Sequence, residues 1–263
     1  MRCLGCGSAN LAKQQWHDLP FFACASCDVL FAHPQASDTE LEQAYRERYY
    51  PASDARKPVY ENTPRELIKQ LVSCLAGHRL LPSKGGRVLD FGCGAGDFAD
   101  EVARWGAEVD GVEADAVARA LAVRRGVRVF KELADVPLER KGQAYDLIAL
   151  LDVLEHVRAP LSLLTELRAL LRPGGVLYLS VPNRRAPQAR LLGARWDQAT
   201  NPTHLFLFSP QSVRYLLRRA GFAASYLPCV LRDARMTRPQ RVCSVLLQRL
   251  RLSGTLRVIA RAV

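Results

Sequence analysis

The sequence predicts an α/β fold: a doubly wound, mostly parallel sheet with helices on both faces, preceded by a small cysteine-bearing unit. Three observations carry this expectation. Short apolar runs at 88–91, 108–113, 127–130, 146–151 and 176–181 alternate with helical patterns, as βαβ units do. The first of them, Val88-Leu89-Asp90-Phe91, leads directly into Gly92-Cys93-Gly94-Ala95-Gly96 and a helical segment from Asp97 to Ala103. The chain has 263 residues, 49% hydrophobic and 24% charged, enough for one full α/β domain and an appendage. The expected organisation is 1–35, 36–84 and 85–263.

The first unit rests on Cys3-x-x-Cys6 and Cys24-x-x-Cys27, two knuckles with seventeen residues between them. Four thiolates at this spacing suit a tetrahedral zinc site of the ribbon type, with a redox pair or two disulfides as the alternatives. Gly5, Gly7, Ala25 and Ser26 leave room for backbone amides to face sulfur. A closed four-thiolate site has no open position, so its expected job is to staple a segment too small to hold its own core. Cys74, Cys93, Cys229 and Cys243 are scattered and read as ordinary thiols. The start Met-Arg-Cys-Leu-Gly-Cys-Gly has no apolar signal core, and the expected compartment is the cytoplasm.

Residues 36–84 are expected to form a helical cap. Thr39 to Tyr50 is a short helix rich in Glu, Arg and Tyr, and 60–81 is an amphipathic helix ahead of the first core strand. The Tyr49-Tyr50 pair is a candidate lid, with packing of the aromatic rings on the core as the equal alternative.

In the core, Glu108-Val109-Asp110-Gly111-Val112-Glu113 is a second strand that ends in a carboxylate about twenty residues beyond the turn. An acid there can accept both hydroxyls of a ribose. The turn is G-C-G-A-G after Asp90, which differs from the spacing of a dinucleotide fingerprint, and the acid before the first glycine would repel a pyrophosphate. The pocket is therefore expected to take an adenosine-bearing, phosphate-free ligand with a cationic group. Further on, Ser209-Pro210 caps a helix that Gly221 stops.

These features resemble the class I S-adenosylmethionine-dependent methyltransferases over about residues 85–225. Tyr145 to Val157 looks like that family's fourth strand and following helix, Leu170 to Asn183 like its next turn and strand, and His204 to Phe222 like the approach to its last helix. The resemblance implies a seven-stranded Rossmann-like sheet with a late antiparallel edge strand at 256–260. It implies that Asp90, Gly92, Cys93, Gly94 and Gly96 shape the methionine side of S-adenosylmethionine. Glu113 would hold the ribose, Glu132 and Leu133 would border the adenine, and Asp152 would sit beside the ammonium or the acceptor. His204, after Trp196 and Asn201-Pro202-Thr203, is the candidate base, with a purely positional role as the alternative. His156 reads as a supporting element.

The acceptor is read from charge. The chain carries +11, and Arg214 to Val263 contains eleven arginines against one aspartate. Arg184, Arg185, Arg190 and Arg195 form a second basic stretch. Arginine at this density suits a phosphate-bearing, carrier-linked acceptor or an anionic membrane surface, although solvated faces give the same pattern. Ribbon, tyrosine helix and core in this order resemble a bacterial subgroup associated with sugar and glycan modification. A hydroxyl or carbon of a nucleotide- or lipid-linked sugar is thus the favoured acceptor. Leu151 to Val157 also resembles quinone-ring O-methyltransferases, which keeps a phenol open. RNA is less favoured, because strand four ends Leu-Leu-Asp-Val-Leu-Glu and the basic tail is poor in aromatic residues. A non-catalytic cofactor-binding scaffold is the remaining class, against which the intact turn and Glu113 argue. Compared with the longer ribbon-bearing sugar C-methyltransferases, these 263 residues stop soon after the core, so that specific activity is not the expected one.

Overall fold

In the computed structural model, residues 1–16, 19–49, 65–140, 144–227, 229, 231 and 238–263 are described. The core is a seven-stranded sheet. Its strands are β4 (Arg87–Phe91), β5 (Glu108–Val112), β6 (Arg128–Phe130), β7 (Tyr145–Leu151), β8 (Leu171–Pro182), β10 (Phe222–Tyr226) and β11 (Thr255–Ala262), in the order β10-β11-β8-β7-β4-β5-β6. The pairings from β6 through β8 are parallel, and β11 runs antiparallel to both of its neighbours. The five predicted strands are thus present, and the fold is the expected one.

One placement differs. The strand at 256–260 is not an edge: β11 lies between β8 and β10, and β10 takes the rim. Its alternation explains this, with Leu256, Val258 and Ala260 buried on one face and Thr255, Arg257 and Ile259 half-covered on the other.

The parallel strands are nearly continuous apolar runs because helices cover both faces. Helix α2 (Arg65–Gly77) buries Leu71, Val72 and Leu75 and packs with α3 (Asp97–Arg104). Helix α4 (Ala116–Arg124) is capped by the Asp115 carboxylate, which accepts from the Val117 and Ala118 amides. Helix α5 (Pro160–Leu170) packs against α8 (Pro210–Arg219). In α8 Ser209 and Ser212 form a reciprocal cap, and Gly221 follows at φ 81°. Helix α9 (Arg238–Arg249) precedes β11. Among the described residues no helix is long and apolar enough to cross a membrane.

The amino-terminal unit is a hairpin of β1 (Leu11–Trp16) and β2 (Leu19–Cys24) joined by β3 (Leu30–Ala32). It pairs with the core: β3 runs antiparallel to β9 (Phe206–Leu207), matching Leu30 with Leu207 and Phe31 with Phe206. Cys3, Cys24, Cys27, Val29 and Phe31 are continuous with the main hydrophobic core. Helix α1 (Asp38–Tyr49) follows, and Arg158 ties its first residue, Asp38, to the core at 2.7 Å. His17, Tyr50 and the residues up to 64 lie outside the described residues, as does the Tyr49 side chain, so the proposed lid does too.

Candidate active site

The glycine turn sits at the carboxyl end of β4, where the strand stops and the chain reverses into α3. Gly92, Gly94 and Gly96 have φ of 74°, 53° and 83°, a region that side-chain-bearing residues avoid. A Cβ on Gly92 would overlap the Val153 side chain, and one on Gly96 would come to 2.9 Å of the Ala122 Cβ. The glycines are therefore required as much by protein packed against the turn as by a ligand. The Cys93 thiol points away, into a small cluster with Ala99, Ala122 and Val127, and burial pushes its pKa up. Cys93 faces the turn through its backbone.

Two acids flank the turn. The Asp90 side chain is 1% exposed, and its Oδ1 is buried without a hydrogen-bond partner. Burial, then the nearby charge of Glu113, pushes its pKa up to about 7. Glu113 accepts from the Gly94 amide at 2.8 Å and the Asp115 amide at 2.9 Å, which locks the second strand to the turn. Burial raises its pKa as well, against the pull of those two amides. A buried orphan carboxyl oxygen beside a second acid is what a cationic ligand would satisfy. Asp152, directly after β7, which pairs with β4, has φ 54° and accepts from the Ser180 hydroxyl at 3.1 Å. A non-glycine residue held there is unusual. Glu132 and Leu133 open a short 3-10 turn after β6, where the Glu132 and Asp135 side chains cap one another's amides and Glu132 is exposed.

Beyond the strand ends lie two imidazoles. His204 is buried, its Nδ1 at 2.8 Å from the Gln198 carbonyl, while His156 Nδ1 is 2.8 Å from the Thr203 carbonyl. A carbonyl can only accept, so both rings carry a proton on Nδ1. Their centroids are 4.6 Å apart, edge to face, and Tyr45 of α1 lies 5.7 Å from His156. Glu155 completes the group: one donor atom from each of Glu155, His156 and His204 lies within 4.8 Å of the others. Two imidazoles and a carboxylate form a donor set that also suits a divalent ion. The Glu155 carboxyl is buried with neither oxygen hydrogen-bonded among the described residues, and burial, reinforced by Asp152, raises its pKa well above the usual range. Spacing along the chain pointed to His204 alone. The His156–His204 pairing depends on the turn that brings residue 203 back to residue 156.

A cavity of about 240 Å³ opens beside His204, lined by Phe21, Ala32, Ala199, Thr200, Asn201 and Pro202. Four of these side chains are apolar, and no arginine is among them. Arg184 and Arg185, read as candidate phosphate ligands, are engaged elsewhere. Arg184 is 5% exposed and paired with Asp28, and Arg185 reaches the same carboxylate at 3.3 Å.

The four amino-terminal cysteines come together as expected. Cys3 and Cys27 Sγ are 3.8 Å apart, Cys6 and Cys24 Sγ 3.7 Å, and all four lie within 4.8 Å of one another. At these separations the four thiols are free and not joined as disulfides, whose sulfurs lie about 2.05 Å apart.

Sheet order, glycine turn and paired acids define a class I S-adenosylmethionine-dependent methyltransferase. Comparison with known proteins agrees: the profile of the methyltransferase domain family matches residues 61–226, and the chain belongs to that family. It is 33% identical over 181 residues to the ubiquinone biosynthesis O-methyltransferase of Cereibacter sphaeroides, covering 63% of this chain and 73% of the relative. The protein of that name from Xanthomonas axonopodis is 32% identical over 198 residues, covering 70% and 80%. Among solved structures, a SAM-dependent methyltransferase from Archaeoglobus fulgidus superposes with TM-score 0.56 at 18% identity, covering 83% of this chain and 98% of that one. One from Mesorhizobium loti gives 0.55 at 22% identity, covering 73% and 97%. The ribbon lies outside the residues that the family profile matches.

Proposed function

We propose that this enzyme methylates a phenolic hydroxyl on a single-ring acceptor, with His204 as the base. The carrying observation is the buried His204 imidazole, tied through Nδ1 to the Gln198 carbonyl, on the wall of a largely apolar cavity. The relatives' naming as O-methyltransferases of ubiquinone biosynthesis supports a ring acceptor. At about 240 Å³ the cavity is smaller than the ~300–1,000 Å³ that drug-sized ligands occupy, which fits one ring better than a nucleotide-linked sugar.

S-adenosylmethionine, when bound, supplies an electrophilic methyl group on a cationic sulfur. Asp90 would lie beside the cationic methionine portion, Glu113 would accept from the ribose, and Glu132 and Leu133 would border the adenine. Asp152, with Ser180 donating to it, would sit on the acceptor side. The cavity holds the acceptor oxygen close and aligned, which is most of what an in-line displacement asks of an enzyme. His204 would take the hydroxyl proton as the methyl–sulfur bond breaks and the sulfur departs as a neutral thioether. The imidazolium so formed lies within 4.8 Å of the Glu155 carboxyl, which is drawn toward its ionised form by that charge.

We also infer that Cys3, Cys6, Cys24 and Cys27 hold a structural zinc ion. Four sulfurs at ~2.3 Å from a tetrahedral ion lie about 3.8 Å from one another, matching the observed 3.7 and 3.8 Å.

The test is methyl transfer from labelled S-adenosylmethionine to two panels, dihydroxybenzoates and sugar nucleotides. Turnover of the first alone, falling about 10²–10⁴-fold in His204→Ala with cofactor affinity unchanged, is expected. Turnover of sugar nucleotides alone would overturn the phenol reading.

A further inference from the structure

We infer that the amino-terminal ribbon is the specificity wall of the acceptor site: Phe21 and Ala32 form one side of the cavity whose other side carries His204. This rests on the reading of that cavity as the acceptor pocket.

The geometry points there from three directions. The cavity is bounded by both units, with Phe21 and Ala32 from the ribbon sheet facing the 199–202 segment and His204 of the core. Phe21 is also packed into a small hydrophobic cluster with Leu30, Trp196, Ala199 and Leu207, so its ring is held in one position. An aromatic ring fixed in this way offers a flat, rigid face at little entropic cost.

Backbone bonds then set the distance between the two walls. The Ala32 amide donates to the Leu205 carbonyl at 3.0 Å, and the Leu205 amide donates to the Glu155 carbonyl at 2.8 Å. Ribbon strand, His204 segment and Glu155 turn are therefore linked in series. A shift of the ribbon moves the residue next to His204.

A third link closes the arrangement from the metal side. Asp28, directly after Cys27, has φ of 57° and aims its carboxylate at the core. It accepts from Arg184 and from the Ser209 hydroxyl, one residue beyond the Phe208 bridge to Asn183. The knuckle that would grip zinc is thus the segment that clamps the far end of the His204 loop. The ribbon is positioned to define acceptor size.

The experiment uses the full-length protein with Ala32→Phe, Phe21→Leu and a series of 3,4-dihydroxybenzoates bearing progressively larger 5-alkyl groups. Metal content and cofactor affinity are measured on each variant. Ala32→Phe is expected to lower kcat/KM for the largest acceptors at least tenfold, and Phe21→Leu to shift the preference toward them, since a methylene in a pocket is worth roughly 10–200-fold. Cofactor affinity should stay within about twofold and metal content should not change. If both variants keep the wild-type size profile with the ribbon intact, the inference is wrong. It is equally wrong if Ala32→Phe loses cofactor binding in step with turnover. Should the wild-type protein methylate none of these phenols, the phenol reading fails. The wall is then judged on labelling of the acceptor present in cell extract, which Ala32→Phe must reduce and which an unchanged yield would contradict.

Discussion

Under the proposed function Asp90 lies beside the cofactor's cationic portion, its burial is expected to oppose folding at neutral pH, and replacing it with asparagine separates the two effects. In the cofactor-free protein its carboxyl ionises near pH 7, against 3.8 for an exposed aspartate, because burial and Glu113 disfavour the charge. The folded protein therefore binds more protons than the unfolded chain between those values, and stability falls as pH rises through that window. At 1.36 kcal/mol per pH unit, this one group removes roughly 2–3 kcal/mol between pH 5 and pH 8. At about 2–4 °C per kcal/mol, the corresponding fall in Tm is roughly 5–10 °C. Asp90→Asn should lack that component, so the difference between the two melting profiles isolates it from other titrating groups. Binding runs the opposite way. A cationic ligand selects the ionised carboxyl, so the Kd for S-adenosylmethionine should rise about tenfold from pH 8 to pH 6 in the wild type. In Asp90→Asn the Kd should be weaker throughout and nearly flat with pH. Calorimetric titration and thermal melts at four pH values test both. Parallel melting profiles, or a wild-type Kd that does not change between pH 6 and 8, would refute the argument.

Three other outcomes follow from the packing. Gly92→Ala should lower stability by more than 1 kcal/mol and weaken cofactor binding, because φ is 74° and the new methyl overlaps Val153; adding Val153→Ala should recover part of the stability, read by chemical denaturation. Asp28→Ala leaves the Arg184 guanidinium buried without its counter-ion and should cost about 3–5 kcal/mol, whereas Arg184→Met in the same chain should restore much of it. Cys27→Ser should reduce bound zinc, measured colorimetrically on the denatured protein, and abolish acceptor turnover while the Kd for S-adenosylmethionine stays within about threefold; loss of cofactor binding as well would mean that the ribbon supports the whole fold.

Much of the cofactor half was legible in the chain because its signals are local. Strand periodicity, three glycines and an acid at the end of the next strand fall within residues 88–113, and the backbone conformations they demand are set by residues close in sequence. The same holds for the two knuckles, whose internal spacing fixes each pair of sulfurs. The ion pairs of two arginines were not legible in this way. Arg184 and Arg185 count as a basic stretch in sequence, yet Asp28, 156 residues away from Arg184, claims both. Likewise 256–260 read as a strand but not as an interior one, since its neighbour is chosen by sheet assembly.

The sequence alone therefore determined the class of fold, the glycine turn with its flanking acids and the pairing of the cysteines into two knuckles, since each depends on short-range stereochemistry. Tertiary structure alone decided what lines the cavity beside His204. It paired His204 with His156, buried Glu155 beside them, and set Phe21 and Ala32 against the 199–202 segment. Those contacts join segments far apart in the chain through the β3–β9 pairing, whose register follows from how two hydrophobic faces are buried together and not from either stretch read separately.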